Sequence, residues 1–348
     1  MTEVVIAGPT VSMARRIESH VSIMRLDHSI KNIFVLPGIL LPILSSPIDP
    51  TLLSLHVAVG IVSVTLIACS NYVINEVLDA PFDRFHPTKC NRPAALGTVH
   101  IPTAYVQWVA MMALGLLMAS RVSMLFLLTA AALWVMGCIY NIPPLRAKDV
   151  PYVDVLVESV NNPLRMLLGW FMVTSSINPP ITLLIAYWMI GAYFMSLKRF
   201  SEYRQIGDSK IAGAYRKSFV SYSEESLLVS VLSYASMAML FLGAFIVRYR
   251  IELILSFPAV GALMAVYFKL AFQHDSPVQN PETIYRQKPL MVLLAVATVL
   301  SVVLLTVRIP AMSESFAPTP EVLTCIIREG LANGALVGSR LPKMLLAA

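Results

Sequence analysis

The sequence predicts an all-α, polytopic membrane protein: nine transmembrane helices in one bundle, with the N-terminus in the cytoplasm. Three observations predict it. Hydrophobic residues make up 57% of the 348-residue chain and charged residues only 13%, about half the usual charge of a soluble domain. The apolar residues fall into runs near 20 residues long, the length that crosses a bilayer. The Lys and Arg residues gather in alternate loops, the asymmetry that sets orientation. The same composition excludes a disordered chain, which is charged and poor in apolar residues. Only 15 Gly and no repeat exclude a collagen-like chain. The four cysteines, Cys69, Cys90, Cys138 and Cys325, lack CxxC spacing, so neither a disulfide framework nor a zinc site is expected. A net charge of +6 on such a chain points to loops facing anionic lipid, and no nucleic-acid motif accompanies it. No cleavable signal peptide is expected either.

The nine expected spans are 30–46, 52–74, 103–120, 122–140, 153–175, 181–197, 226–247, 252–272 and 289–307. The first is short and broken by Pro37 and Pro42, and such breaks must be satisfied by neighbours or line a cavity. The third and fourth meet at a tight turn around Arg121, which makes them antiparallel neighbours. With the N-terminus inside, 19 of the 26 Lys and Arg lie in or beside cytoplasmic loops, and only Arg121, Arg248 and Arg250 lie in outside loops. The chain thus divides into a cytoplasmic segment 1–24, a transmembrane domain 25–308 and a tail 309–348 on the non-cytoplasmic side. The tail reads as a poorly ordered end, ahead of the alternative of a short interfacial helix.

The inside loops hold the chemistry. Asn75, Asp79 and Asp83 recur every fourth residue, so on a helix they share one face. Two carboxylates and an amide stacked this way repel unless a cation sits among them, and hard oxygen donors at this spacing suit Mg2+ bound together with substrate phosphates. An ordinary solvated loop with capping carboxylates is the alternative. Lys89 and Arg92 follow and are placed to meet the same phosphates. After the fourth span comes a loop with Lys148, and then Asp154, Asn161 and Arg165 fall inside or at the mouth of an apolar run. Polar groups at that depth face a cavity or a partner; Asp154 paired with Arg165 is the structural alternative. After the sixth span, Lys198 and Glu202 share a helix face, with Arg199 and Tyr203 between and after them. A positive-inside stop signal is the alternative there. Lys31 and Asn32 open the first span and point back toward a cavity, unless Lys31 snorkels. His28 and His86 have no evident partner and read as structural.

These residues carry a resemblance. Nine spans with Asn75-x3-Asp79-x3-Asp83 after the second, closing on Asn91-Arg92-Pro93, resemble the UbiA superfamily of intramembrane prenyltransferases over roughly residues 20–308. Members bind a diphosphate substrate through Mg2+ held by two aspartate-rich loops. Where aromatic-accepting members carry a second Asp-x3-Asp, this chain has Lys198-Arg199-Phe200-Ser201-Glu202. With His28-Ser29-Ile30-Lys31-Asn32, Asp83-Arg84-x-His86-Pro87-Thr88-Lys89 and the run Ala214–Ser223, it is similar to the decaprenyl-phosphate phosphoribosyltransferase branch (DPPR synthases). Two departures stand out: Glu76 where many members have Asp, and Asn161-Asn162-Pro163 in place of a Gly-containing stretch before Arg165.

The resemblance implies an enzyme of an inner (cytoplasmic) membrane whose site faces the cytoplasm. It would transfer 5-phosphoribosyl from phosphoribosyl pyrophosphate to a polyprenyl phosphate lipid and release diphosphate, a step of cell-envelope biosynthesis. Prenyl transfer from a polyprenyl diphosphate to an aromatic or lipid acceptor is the alternative within the superfamily. By position, Asn75, Asp79 and Asp83 would hold Mg2+. Asp79, Asp83, Lys198 and Glu202 would form the catalytic set. Lys31, Asn32, Lys89, Arg92, Lys148, Arg165, Arg199 and Tyr203 would bind substrate. A transporter is disfavoured, because the polar groups gather on one side and no inverted repeat is visible.

Overall fold

In the computed structural model, residues 12–44, 50–86, 88–279 and 281–316 are described. The start of the expected cytoplasmic segment, the His28 side chain and almost all of the expected tail lie outside that description. Among the described residues every regular element is helical. Seven helical stretches are long and apolar enough to cross a membrane. They are α3 (Pro50–Asp83), α4 (Ile101–Ala119), α5 (Met124–Asn141), α8 (Ile181–Ile206), α10 (Glu224–Tyr249), the stretch Ile251–Leu270 that ends in α11 (Phe257–Leu270), and α12 (Lys288–Thr306). They coincide with seven of the nine expected spans.

The other two expected spans are broken, and prolines account for both. The 30–46 run is a 3-10 segment, Leu26–Val35, that passes into the short α2 (Leu36–Ile43), with Pro37 in its first turn and Pro42 inside it. The 153–175 run divides into α6 (Val153–Ser159) and α7 (Asn161–Val173). Pro163 has no N–H for the Ser159 carbonyl and its ring crowds that position, so the helix breaks one turn earlier. The two broken runs pack on each other closely. A Cβ added at Gly38 would overlap the Met166 carbonyl oxygen, and one at Gly169 would overlap that of Val35. Glycine at both positions lets the backbones touch, as at small-residue contacts between membrane helices.

The long helices are joined by polar bonds inside the bundle, where no water competes. From α3, Ser63 Oγ donates to the Gly115 carbonyl at 2.8 Å, Ser70 Oγ to that of Trp108 at 2.8 Å, and Asn71 Nδ2 to that of Leu133 at 3.0 Å. These bonds tie α3 to α4 and α5. As the sequence implies, α4 and α5 are packed neighbours joined by a short turn at Arg121. The outward faces of α10 and α12 expose Val229, Leu232, Leu240, Val292 and Val299, an apolar surface suited to lipid tails. A second core forms where α8 and α10 pack, around Phe200, Leu197 and Leu227, and extends to Phe219 beyond α9 (Ser209–Tyr215). The C-terminal ends of α3, α5 and α8 lie at one end of the bundle, and the polar groups of the loops that follow them meet there. α13 (Pro310–Ser315) follows the last span.

Candidate active site

The first half of the site is built on the last turns of α3. Because the helix runs to Asp83, Asn75, Asp79 and Asp83 are held on one face by the backbone itself. Asn75 Nδ2 donates to Asp79 Oδ2 at 3.1 Å and to Asn141 Oδ1, at the end of α5, at 2.5 Å. Asp79 Oδ1 accepts from Arg146 Nη2 at 3.0 Å and from Lys148 Nζ. Lys148 is buried and also donates to Asn141 Oδ1 at 2.9 Å. Burial opposes its charge and pushes its pKa down to about 8, with Asp79 acting the other way. Arg146 has φ 27°, a backbone conformation that a non-glycine residue adopts only when its surroundings hold it there. Here they are Asp79, Asp149 at 3.2 Å and the face of Phe82, 4.8 Å away. Asp83 is buried and accepts from Arg92 Nη1 at 2.6 Å.

The second half is an ion-pair lattice. Glu202 is buried and accepts from Lys89 Nζ at 2.8 Å and from Arg199 Nη1 at 3.0 Å. Lys89 also donates to the Tyr215 hydroxyl. Arg199 reaches Asp154 Oδ2 with Nε at 3.1 Å and the Tyr140 hydroxyl with Nη2 at 3.0 Å. Asp154, fully buried, further accepts from Arg216 Nη1 at 3.2 Å, Ser218 Oγ at 3.3 Å and the Tyr222 hydroxyl at 2.6 Å. The alternative of an Asp154–Arg165 pair is therefore overturned: two other guanidinium groups occupy Asp154. Arg165 is buried with no ion pair among the described residues, and its Nε has no partner.

Between the halves lies a shallow, open cleft. Asp79, Phe82 and Asp83 line it from α3; Arg146, Lys148 and Asp149 from the loop after α5; Tyr215, Arg216 and Lys217 from the end of α9 onward. Two carboxylates one helical turn apart face one polar space, and that oxygen set fits a hard cation. Among the described residues no three His, Cys, Asp or Glu converge into a cage. Mg2+ keeps waters and is commonly held by one or two carboxylates plus phosphates, so it does not need such a cage. Asn75 spends its amide nitrogen on Asp79 and Asn141, and so orients the first carboxylate.

The structure joins Asn75, Asp79 and Lys148 directly, and Asp83 and Arg92 beside them. It joins Lys89, Arg199 and Glu202 in the lattice. The remaining expected residues do not line the cleft. Lys31 lies over the Tyr72 ring at 5.7 Å. Asn32 donates to Thr65 Oγ1 at 3.0 Å, leaving its own Oδ1 buried without a partner. Lys198 is half-buried and makes no ion pair among the described residues. Tyr203 packs edge-on against Phe219 at 5.7 Å. The sequence reading did not select Arg146, Arg216, Tyr140 or Asn141 as site residues. Arg146 and Arg216 each stand near another cation, Lys148 and Lys217, and spacing does not rank such neighbours.

His86, expected to be structural and without an evident partner, has partners in the fold. Its ring meets Tyr215 edge-on at 4.6 Å, and its Nδ1 accepts from the Thr88 and Lys89 backbone N–H groups. Burial, with Lys89 nearby, lowers its pKa to about 4 from an ordinary 6.5. The folded state therefore holds the neutral ring, and its contribution to stability is full above pH 6.5 and lost as pH falls toward 4. Thermal melts of wild type and His86→Gln should diverge less at pH 4.5 than at pH 7.5; a gap independent of pH would contradict the burial of a neutral imidazole.

The comparisons agree with this architecture. Among curated proteins, an uncharacterized protein, y4nM, of Sinorhizobium fredii is 29% identical over 110 residues, covering 32% of this chain. The chain spans only about a fifth of that relative's length (21%). Among solved structures, a UbiA homologue from Archaeoglobus fulgidus bound to GPP and Mg2+ superposes with a TM-score of 0.62 at 21% identity, covering 83% of this chain and all of the other. The same homologue bound to DMAPP and Mg2+ gives 0.57 at 19%, covering 84% and 99%. A structure concerning digeranylgeranylglyceryl phosphate synthase gives 0.54 at 14%, covering 84% and 99%. At these identities the likeness is one of fold. The sequence model of the UbiA prenyltransferase family matches residues 33–294, well over half of the chain, and this integral membrane chain belongs to that family.

Proposed function

We propose that the chain transfers the 5-phosphoribosyl group of phosphoribosyl pyrophosphate to a polyprenyl phosphate and releases diphosphate. The observation that carries this reading is the charge of the cleft. Four cations, Arg146, Lys148, Arg216 and Lys217, line it with three carboxylates, and the second acidic position, Glu202, is already neutralised by Lys89 and Arg199. A donor with a diphosphate and a further phosphate, meeting an acceptor that is itself a phosphate, needs such an excess. A neutral aromatic acceptor needs less.

In this reading Asp79 and Asp83 hold Mg2+, with Asn75 orienting Asp79. When bound, Mg2+ neutralises charge on the leaving diphosphate. Lys148 and Arg146 bind the donor's phosphates, and Arg92 fixes Asp83. Lys89, Arg199 and Glu202 keep the α8 end and α9 at the edge of the cleft. Lys31, Arg165 and Lys198, cations without ion-pair partners among the described residues, bind the acceptor's phosphate, beside Asn32 and Tyr203. The acceptor oxygen is anionic at neutral pH and attacks C1 with no general base. Catalysis is then positioning and electrostatic stabilisation. The site faces the cytoplasm of an inner membrane, with the N-terminus on the same side, nine membrane helices and the tail opposite; the distribution of Lys and Arg supports this orientation.

The likeness to homologues solved with GPP or DMAPP and Mg2+ favours a second reading, prenyl transfer from a polyprenyl diphosphate to an aromatic or lipid acceptor. One assay separates them. Detergent-purified protein receives Mg2+, phosphoribosyl pyrophosphate and a medium-length polyprenyl phosphate; diphosphate release and lipid mass are read. A lipid heavier by one phosphoribosyl unit is expected. Silence with this pair, followed by turnover with an allylic diphosphate and an aromatic acid, would move the chain to the second reading.

A further inference from the structure

We propose that Arg216 is a diphosphate-binding residue of the cleft and that Asp154 is the positioning residue that aims it. The proposal rests on reading the cleft as a diphosphate site, which both donors above share. Arg216 spends one nitrogen on the protein: Nη1 donates to Asp154 Oδ2 at 3.2 Å and to the Tyr140 hydroxyl at 3.3 Å. Its Nη2 and Nε make no hydrogen bond to the described residues, yet the side chain is only 12% exposed. That small open part lines the cleft opposite Asp79 and Asp83. A guanidinium tied down at one corner, with its other donors open to a polar space, is prepared for two-pronged binding of a phosphate.

The alternative is that Arg216 merely neutralises Asp154. Arg199 already does this, at 3.1 Å. The lattice holds three cations, Lys89, Arg199 and Arg216, against two carboxylates, Asp154 and Glu202. A buried surplus cation is costly unless an anion meets it, and the cleft is where one can. Asp154 is the fixed point of this arrangement. It is fully buried, and its other oxygen is clamped by the Tyr222 hydroxyl at 2.6 Å, so the direction of Arg216 is set from inside the protein.

The test uses the full chain in detergent and inorganic pyrophosphate with Mg2+ as the probe, read by titration calorimetry. Arg216→Gln is expected to weaken pyrophosphate binding at least tenfold. Arg216→Lys keeps the charge and loses the fork, so it should recover part of that loss. If Arg216→Gln fails to fold, Arg216→Lys decides alone, with an expected threefold to tenfold loss. Asp154→Asn keeps the shape of the anchor and should raise KM for the diphosphate donor more than it lowers kcat. Wild-type pyrophosphate affinity in Arg216→Gln, or in Arg216→Lys where only that variant folds, would overturn the proposal. A lowered melting temperature with unchanged KM in Asp154→Asn would remove the positioning role. Because pyrophosphate is common to both donors, failure of phosphoribosyl transfer leaves these measurements decisive.

Discussion

Asp79→Asn is expected to lower turnover by on the order of 10³-fold, the scale on which removal of a principal electrostatic group acts, while the protein still folds. Asp79 stands at the centre of the first half of the site. One of its oxygens receives both Arg146 and Lys148, and the other receives Asn75. An asparagine keeps the shape and can still accept hydrogen bonds, so the helix end and the loop after α5 stay in place. What it removes is the negative charge. The cleft then presents its cations with one carboxylate fewer, and the carboxylate pair proposed to hold Mg2+ is broken. Asp83→Asn should act in the same direction. Initial rates across a Mg2+ titration, with a melting curve for each variant, check this. Near-normal rates in either variant would reject the metal role of the α3 carboxylates, and a rate loss matched by unfolding would assign them a structural one.

Much of the site was legible because helical spacing is a local rule. Asn75, Asp79 and Asp83 had to share a face if α3 continued past the apolar run, and it does. The seven long spans were legible for the same reason, since run length and hydropathy are properties of one segment. The break in the first run was legible as well, from Pro37 and Pro42, whereas the one before Pro163 turns on a single residue whose effect depends on what packs beside it. Glycine at 38 and 169 answers that only when both backbones are seen together. The lattice around Asp154 was not legible at all. Asp154 and Arg165 are eleven residues apart on one run, and their pairing is the natural guess. The true partners, Arg199 and Arg216, come from segments 45 and 62 residues away. Nothing in spacing ranks Arg216 above Lys217, yet one is buried against Asp154 and the other is 64% exposed beside Asp149.

That contrast between buried and exposed cations leads to the largest expected change in stability. Arg199→Met should destabilise the protein by about 3–5 kcal/mol, the cost of breaking a buried ion pair from one side. Arg199 is 3% exposed, and its three nitrogens are divided among Asp154, Glu202 and Tyr140. Its removal leaves two carboxylates, both essentially buried, with only Lys89 and Arg216 to share them. Lys cannot substitute fully, because a single ammonium on a flexible stem cannot reach all three partners in the plane of the guanidinium. Lys217→Ala removes an ion pair too, at 3.5 Å from Asp149, but an exposed pair is worth about 0–1 kcal/mol. The two variants, measured side by side by thermal melting in one detergent, should therefore separate widely. Adding Glu202→Gln to Arg199→Met should recover part of the loss, since residues in one network are not additive and the second change removes a buried charge the first left with Lys89 alone. Equal melting temperatures for Arg199→Met and Lys217→Ala would mean that water reaches the lattice, and that Glu202 is available to a ligand in the cleft rather than held by its two cations.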